Sequence, residues 1–321
     1  MSNIKGTMRE FIDEACEGIQ KESADRPVLC ALSGGIDSAV CAVLTHRAIG
    51  DKLTCLFVDT GLMRKNESSE VVGLFRDTYA INLIHVEAED RFLKRLAGVS
   101  DPENKRKIIG EEFIRIFEEE AKKLGEVGCL VQGTIYPDIM ESGKDGHKQV
   151  KAHHNVGGMP ENIEFATVIE PIKMLYKAEV RECGRSLGLP AAFVDRQPFP
   201  GPGLAVRCLG ELTKPRLDLL READAIFREE LEKADLNKEI QQYFAILPGI
   251  RTVGVRNDER SYEETIALRA VTSKDFVTAG SARLPFDVLE KVASRITAEV
   301  AGVNRVVLDI TPKPPATVEW E

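Results

Sequence analysis

The sequence predicts a doubly wound parallel α/β sheet followed by a smaller α+β domain, and three observations carry that expectation. Between Met8 and Leu187, short apolar runs alternate with stretches of helical period. The first apolar run stops in a Ser-Gly-Gly loop, a connection typical of a parallel strand handing over to its helix. At Gln197–Gly203 the chain reads Q-P-F-P-G-P-G, which neither a helix nor a central strand tolerates, so a domain boundary falls near residue 200.

In chain order, Met8, Phe11, Ile12, Ala15 and Ile19 give residues 8–20 a helical period. Val28–Leu32 reads as a strand, S-G-G-I-D-S as a loop, and Ala39–Ile49 as a helix closed by Gly50. Leu53–Val58 is a second strand ending in the turn Asp59-Thr60-Gly61, residues 67–79 are helical in period, and Ile81–Val86 is a third strand. The βαβαβ alternation requires a parallel sheet with helices on both faces. Lys105–Leu124 is a long amphipathic helix with Ile108, Ile109, Phe113, Ile116 and Phe117 on its apolar stripe, and Cys129–Gln132 is the next strand. From Gly133 to Asn162 the period disappears; a structureless connector of about 30 residues is too long to be ordinary, so 133–162 is expected to form a functional lid. Thr167–Glu170 and a helix over Lys177–Leu187 complete a first domain over residues 1–200.

The second domain, 201–321, opens with a helix capped by Thr213, with Pro215 in its first turn and Leu217, Leu220, Ala223, Phe227 and Leu231 facing a core. Strands over Arg251–Val255, Glu264–Val271 and Arg305–Ile310 flank a helix carrying Leu289, Val292, Ile296 and Val300.

Composition narrows the function classes. At 43% hydrophobic and 30% charged, the chain has ordinary globular composition. No apolar run approaches the roughly 18 residues of a membrane helix, and the N-terminus lacks a signal peptide's apolar region, so a soluble cytoplasmic protein with no membrane partner is expected. With 43 basic and 52 acidic residues, the net charge of -9 offers no overall draw toward nucleic acid. The seven cysteines contain no C-x-x-C pair and several lie in apolar runs, which predicts reduced core thiols.

The chemistry concentrates first in Ser33-Gly34-Gly35-Ile36-Asp37-Ser38. Between strand and helix, backbone N–H groups and the helix dipole favour a phosphate, the glycines let the backbone approach it, and the Ser33 and Ser38 hydroxyls can donate to its oxygens. Asp37 repels phosphate unless a cation intervenes, so its presence implies Mg²⁺. The turn after the second strand, containing Val58, Asp59 and Leu62, lies beside this loop in an open α/β sheet, and the likeness to ATP-cleaving enzymes set out below implies that it holds the adenine.

The loop resembles the pyrophosphate loop of the N-type ATP pyrophosphatases, which lacks the Gly-Lys-Ser/Thr of a Walker A loop. The likeness extends along the chain. The phrases F-V-D-T-G-L-M-R, D-P-E-N-K-R-K-I-I-G, Q-G-T-I-Y-P-D-I-M-E-S, K-A-H-H-N-V-G-G-M-P, P-F-P-G-P-G-L and K-P-P-A-T-V-E-W-E run in order and resemble the ATP pyrophosphatase part of the GMP synthases. That resemblance implies an adenine-nucleotide-alpha-hydrolase-like sheet with a C-terminal dimerisation domain. It also implies conversion of XMP to GMP: O2 of the purine attacks the α-phosphate of MgATP, pyrophosphate leaves, and ammonia displaces AMP from adenyl-XMP.

Residue roles follow from the same resemblance. Ser33 to Ser38, Val58, Asp59 and Phe113 form the nucleotide set, with Asp37 as the Mg²⁺ ligand. Arg106, in the basic run Lys105-Arg106-Lys107 at a helix start, lies near the substrates. In the lid, Asp138 and Glu141 can orient ammonia or accept its protons, and Lys151 and His153 can neutralise charge on the α-phosphate. A zinc site at His147, His153 and His154 is the rival reading, weakened by the lack of cysteine or H-x-x-x-H nearby. Lys313 is expected at the XMP phosphate, Val318 and Glu319 at the purine, and Gln242 at XMP. Ala152 and Val318 depart from the family pattern, where Ser or Thr and Ile are common.

A class I glutaminase needs a G-x-C-x-G elbow, and Gly128-Cys129-Leu130 does not supply one. A separate glutaminase subunit is therefore the expected ammonia source, and a homodimer through residues beyond about 203 is expected. Rival functions are another adenylating ligase, such as NAD synthetase, and an ATP-binding module without chemistry; the dense lid and charged tail argue against the latter.

Overall fold

The computed structural model describes residue 4 and residues 6–125, 127–142, 165–273 and 278–321. The chain divides into two compact units. One comprises the described parts of Met1–Thr60, Asn66–Ala88 and Ile109–Arg196; the other comprises Gly61–Lys65, Glu89–Ile108 and the described parts of Gln197–Glu321.

The first unit holds α1 (Met8–Ser23), β1 (Val28–Leu32), α2 (Ile36–Ile49), β2 (Leu53–Asp59), α3 (Glu67–Val72) and β3 (Asn82–Glu87). Thr7 opens α1 with a capping box, its hydroxyl accepting from the Glu10 amide while Glu10 accepts from Thr7. The strands form a parallel sheet in the order β3-β2-β1-β4-β5, where β4 is Cys129–Val131 and β5 is Thr167–Ile169. The order reverses at β1, which makes this the doubly wound α/β arrangement and puts the switch point between β1 and β4. Nearly every side chain of α2 from Ser38 to Thr45 is buried, so this helix is apolar all round rather than striped. It packs beside α1 and α7 (Lys177–Ser186), which the short α8 (Ala191–Val194) follows.

Three sequence expectations are corrected here. The helix α2 starts at Ile36, not Ala39, so Ile36, Asp37 and Ser38 form its first turn. The long helix α5 (Pro102–Lys123) starts one turn before Lys105, with Pro102 at its first position and the Asp101 carboxylate accepting from the Asn104 amide at 2.8 Å. Within the stretch read as aperiodic, Tyr136–Ser142 forms α6, because the Asp138 carboxylate accepts from the Ile135 amide at 3.0 Å and closes its first turn. Beyond Ser142 the expected lid lies outside the described residues up to 164. Residues 67–79 are helical as read, but the stretch Gly73–Thr78 widens into a π-helix.

The second unit contains α4 (Glu89–Leu96), the start of α5, α9 (Lys214–Lys233), α10 (Phe286–Glu299) and a sheet centred on the 14-residue β8 (Glu259–Thr272). β6 (Gln242–Ile246), β7 (Arg251–Arg256) and β9 (Gly280–Ser281) pair antiparallel with β8, and β10 (Val303–Asp309) pairs parallel with it. β6 is an element that sequence reading did not assign. Thr213 occupies the N-cap of α9 in extended geometry, yet its side chain makes no capping bond. α9 and α10 are joined by an ion-pair network around Glu230, whose carboxylate meets Lys291 at 2.7 Å, Arg295 at 2.6 Å and Lys233 at 3.2 Å. All seven cysteines are free thiols. Among the described residues, no helix is long and apolar enough to cross a membrane.

Candidate active site

In the first unit the site begins where β1 ends. Gly34 takes a φ of +81°, a conformation side chains disfavour, and this turns the chain directly into α2. Ser33 and Ser38 close the loop on itself. Their hydroxyls lie 3.0 Å apart, the Ser33 amide donates to the Ser38 hydroxyl at 3.2 Å, and that hydroxyl reaches the Gly35 carbonyl at 3.0 Å. The first turn of α2 carries amides with no partner inside the helix and the positive end of its dipole. Gly133, just after β4, passes so close that a Cβ there would lie 3.2 Å from the Ser38 nitrogen. A larger residue would crowd that helix end, which explains the glycine in Q-G-T-I-Y.

The main charge at this loop is an ion pair. Lys177 Nζ donates to both Asp37 oxygens, at 2.9 and 2.7 Å. Lys177 is the first residue of α7, where the helix dipole disfavours a cation unless an anion is close. That position is the sequence signal for Lys177, a residue that sequence reading missed. Beside β5, Thr134 donates to the Glu170 carboxylate at 2.6 Å, and the Tyr136 ring meets Tyr176 edge-on at 5.0 Å. Buried Cys41 of α2 has its thiol pushed well above its ordinary pKa, first by burial and then by neighbouring Cys30 and Asp37, so it stays protonated.

The remaining predicted residues of this unit fall into three groups. Val58 is buried, and Asp59 ends β2 with its carbonyl accepting from Ala88 at 2.9 Å. Asp138 serves its own helix turn, and Phe113 is half-buried on α5 outside the set gathered by hydrogen bonds at the loop. Lys151 and His153, with His147 and His154, lie outside the described residues, as does the side chain of Glu141.

No cluster of three or more His, Cys, Asp or Glu suited to a metal occurs among the described residues. Mg²⁺ does not need one, since it is commonly held by one or two carboxylates plus substrate phosphates and water. A half-buried carboxylate in the first turn of α2 fits that donor set, with Asp37 as the residue that would hold the ion.

The second unit has a site of its own. A cavity of about 230 Å³ is lined by Gln241 and Gln242 at the start of β6, Val271 and Ser273 at the end of β8, Ala279, and Lys313, Val318 and Glu319 of the tail. Gln242, Lys313, Val318 and Glu319 thus come together although 71 residues separate the first pair (313 − 242). The volume is below the roughly 300–1,000 Å³ of sites that enclose a drug-sized ligand, so it suits part of a nucleotide.

Backbone and buried cations hold the tail at this cavity. Lys313 pairs with Ala279 through two backbone bonds of 2.8 and 3.0 Å. Arg269, wholly buried, donates to the carbonyls of Thr311, Thr317 and Val318 and to the Asp309 carboxylate at 2.6–3.1 Å. Burial pushes the Asp309 carboxyl up, but bonds from Thr311 and the Trp320 indole, with the Arg269 charge, outweigh it and hold its pKa below normal. Wholly buried Arg207 grips Glu319 with two bonds, at 3.0 and 2.8 Å.

Lys105 is equally buried. Its ammonium donates to the carbonyls of Ala205 and Cys208 and pairs with Glu321 at 2.5 Å, so it is a structural cation rather than part of an exposed basic helix start. Arg106 is partly exposed and pairs with Glu103 one turn earlier, at 2.5 Å. Sequence reading missed Arg207 and Arg269 because an arginine inside apolar text carries no local signal of its partner.

Comparison with known proteins adds sequence likeness to these observations. Residues 229–320 match the family model described as the GMP synthase C terminal domain. The chain is 60% identical over 98% of its length to the GMP synthase (glutamine-hydrolyzing) of Ruminiclostridium cellulolyticum, of which it covers 61%. It is 59% identical over 99% of its length to the protein of the same name from Clostridium botulinum (strain Loch Maree / Type A3), of which it covers 63%. The chain therefore spans about three fifths of the length of these relatives. Among solved structures, an NH3-dependent NAD synthetase from Campylobacter jejuni aligns with a TM-score of 0.45 and 17% identity, over 73% of this chain and 86% of that one. The identity of about three residues in five, sustained along nearly the whole chain, makes it similar to about three fifths of the length of these GMP synthases, and its residues 229–320 to the C-terminal domain of that family.

Proposed function

We propose that this chain catalyses formation of GMP from XMP, ATP and ammonia as a carbon-nitrogen ligase of purine biosynthesis. The observation that carries the reading is the cavity shared by Gln242 of β6 and, about 70 residues further along the chain, Lys313, Val318 and Glu319 of the tail. In this reading the Ser33–Ser38 loop and the start of α2 take the ATP phosphates, and the turn at Val58 and Asp59 takes the adenine. Phe113 belongs to the same nucleotide set, and Arg106 lies near the substrates. Mg²⁺, when bound, neutralises phosphate charge, and Asp37 is the residue that holds it.

The purine O2 of XMP attacks the α-phosphorus of ATP and pyrophosphate leaves with the bond's electron pair, giving adenyl-XMP. Ammonia then adds at C2, AMP leaves, and the nitrogen loses protons to a carboxylate. Asp138 and Glu141 are assigned to orienting ammonia or taking its protons, and Lys151 and His153 to balancing charge on the α-phosphate. Ammonia is supplied by a glutaminase, expected on a separate subunit, and the enzyme works in the cytoplasm.

A homodimer through the second unit is part of the proposal. Val253 and Tyr262 face each other across β7 and β8, both exposed, with Val255 and Val307 exposed on neighbouring stretches, and such apolar surface favours a partner. Sedimentation of an active preparation decides this point: a mass near the 35.5 kDa of one chain removes the dimer. For the activity, the chain is incubated with ATP, XMP and ammonium. GMP, AMP and pyrophosphate in equal amounts support the proposal, while ATP binding without GMP overturns it.

A further inference from the structure

We propose that Arg207 is a positioning residue that decides which purine edge the cavity accepts, acting through Glu319; this rests on reading the cavity as a purine-nucleotide site. The Arg207 guanidinium lies over the rings of Phe244 and Phe199, at 3.8 and 5.1 Å from their centroids. Nε donates to one oxygen of Glu319 and Nη2 to the other, which fixes the plane of the carboxylate as well as its place.

This pair is an expensive way to secure a chain end. Nη1 of Arg207 is buried with no hydrogen-bond partner among the described residues, and an apolar pair of similar volume would often be as stable as a buried ion pair. What an apolar pair cannot do is present a fixed anion. Glu319 has one-fifth of its side chain exposed and lines the cavity, while Arg207 is wholly enclosed behind it. An ionised carboxylate only accepts hydrogen bonds, and the fork leaves each oxygen with further acceptor capacity. Such a wall takes a purine edge that carries N–H groups, as the xanthine ring does, and rejects an adenine edge whose N1 is itself an acceptor. Arg207 thereby keeps the two nucleotides of the reaction from exchanging places.

Calorimetric titration of the whole chain with XMP and with AMP tests this, using wild type, R207M, E319L and the double variant R207M/E319L, with ATP binding measured alongside. Each single substitution is expected to weaken XMP by about 30-fold or more while leaving ATP affinity unchanged, and to narrow the preference for XMP over AMP. The double variant is expected to lose no more than the worse single one, because both act through one contact. Removing both charges together also leaves no uncompensated ion, so this variant folds even where E319L, which strands the wholly buried Arg207, or R207M does not. Failure of wild type to bind XMP overturns the nucleotide reading of the cavity. Tight XMP binding by wild type with equal affinity in R207M, or losses that multiply in the double variant, overturns the role of Arg207 alone.

Discussion

Lys177 and Asp37 form a two-oxygen ion pair although they stand 140 residues apart in sequence. Each is in the first turn of its helix, and only the anion is favoured there by the helix dipole. The pair thus joins a well-placed carboxylate to a cation that depends on it, beside the loop assigned to phosphate.

Asp37→Asn is expected to leave the fold intact, since the carboxylate is only half-buried, and to lower the rate of adenylation by about 10²-fold or more. Lys177→Met is expected to lose rate as well, with the double variant less impaired than the product of the single losses. The measurement is XMP-dependent exchange of labelled pyrophosphate into ATP. Near-wild-type exchange by the Asp37→Asn variant removes Asp37 from the mechanism.

Substitution at Lys313 separates XMP binding from folding better than removal of the tail. Deleting Lys313–Glu321 strips the wholly buried cations Arg207, Arg269 and Lys105 of partners on the tail. Each buried charge that loses its partner costs about 3–5 kcal/mol, against the roughly 5–15 kcal/mol that holds a typical protein together. The truncated chain is therefore expected to lose the second unit's fold. Lys313→Ala keeps both backbone bonds to Ala279, so the melting temperature should hold while the KM for XMP rises about tenfold or more. An unchanged KM removes Lys313 from the XMP site.

Acid is expected to loosen the α9–α10 contact within a defined window. Lys291, then Arg295 and Lys233, hold the Glu230 carboxyl at about 2 against burial, which pushes the other way; its ordinary value is 4.5. A depressed carboxyl contributes stability that is present above pH 4.5 and disappears as pH falls toward 2. Wild type should therefore melt higher than Glu230→Gln at neutral pH, and the gap should shrink between pH 4.5 and 2. A gap that stays constant across that window contradicts the assignment.

Thiol reactivity should follow burial. Cys183 is pushed up to about 12 chiefly by burial, and only Cys16 among the cysteines is not fully buried. Alkylation of the folded chain, followed by peptide mass mapping, should modify Cys16 first. Early loss of Cys183 would show that the first unit opens locally.

The strand, loop and start of helix at Val28–Ser38 were legible because the signals are local: an apolar run, two glycines and a following helical period. The error at α2's start is local too, since Ile36-Asp37-Ser38 reads equally as loop or first turn. The start of α5 was available in Asp101-Pro102, a cap followed by a proline, but the apolar stripe beginning at Ile108 drew the boundary inward. The run Gln242–Ile246 is short and has no alternation of polar and apolar residues, so β6 becomes a strand only by pairing with β8.

By itself, the sequence determined the doubly wound sheet and the glycine loop that joins β1 to α2, because each follows from the periodicity or conformational limits of adjacent residues. Only the tertiary structure decided that Lys177 answers Asp37, that Lys105 is buried, and that Arg207 and Arg269 clamp the tail beside Gln242. Those relations depend on charges far apart in the chain. A lone arginine or lysine has the same local appearance whether water or a buried carboxylate surrounds it, and folding alone brings the partner that distinguishes the two.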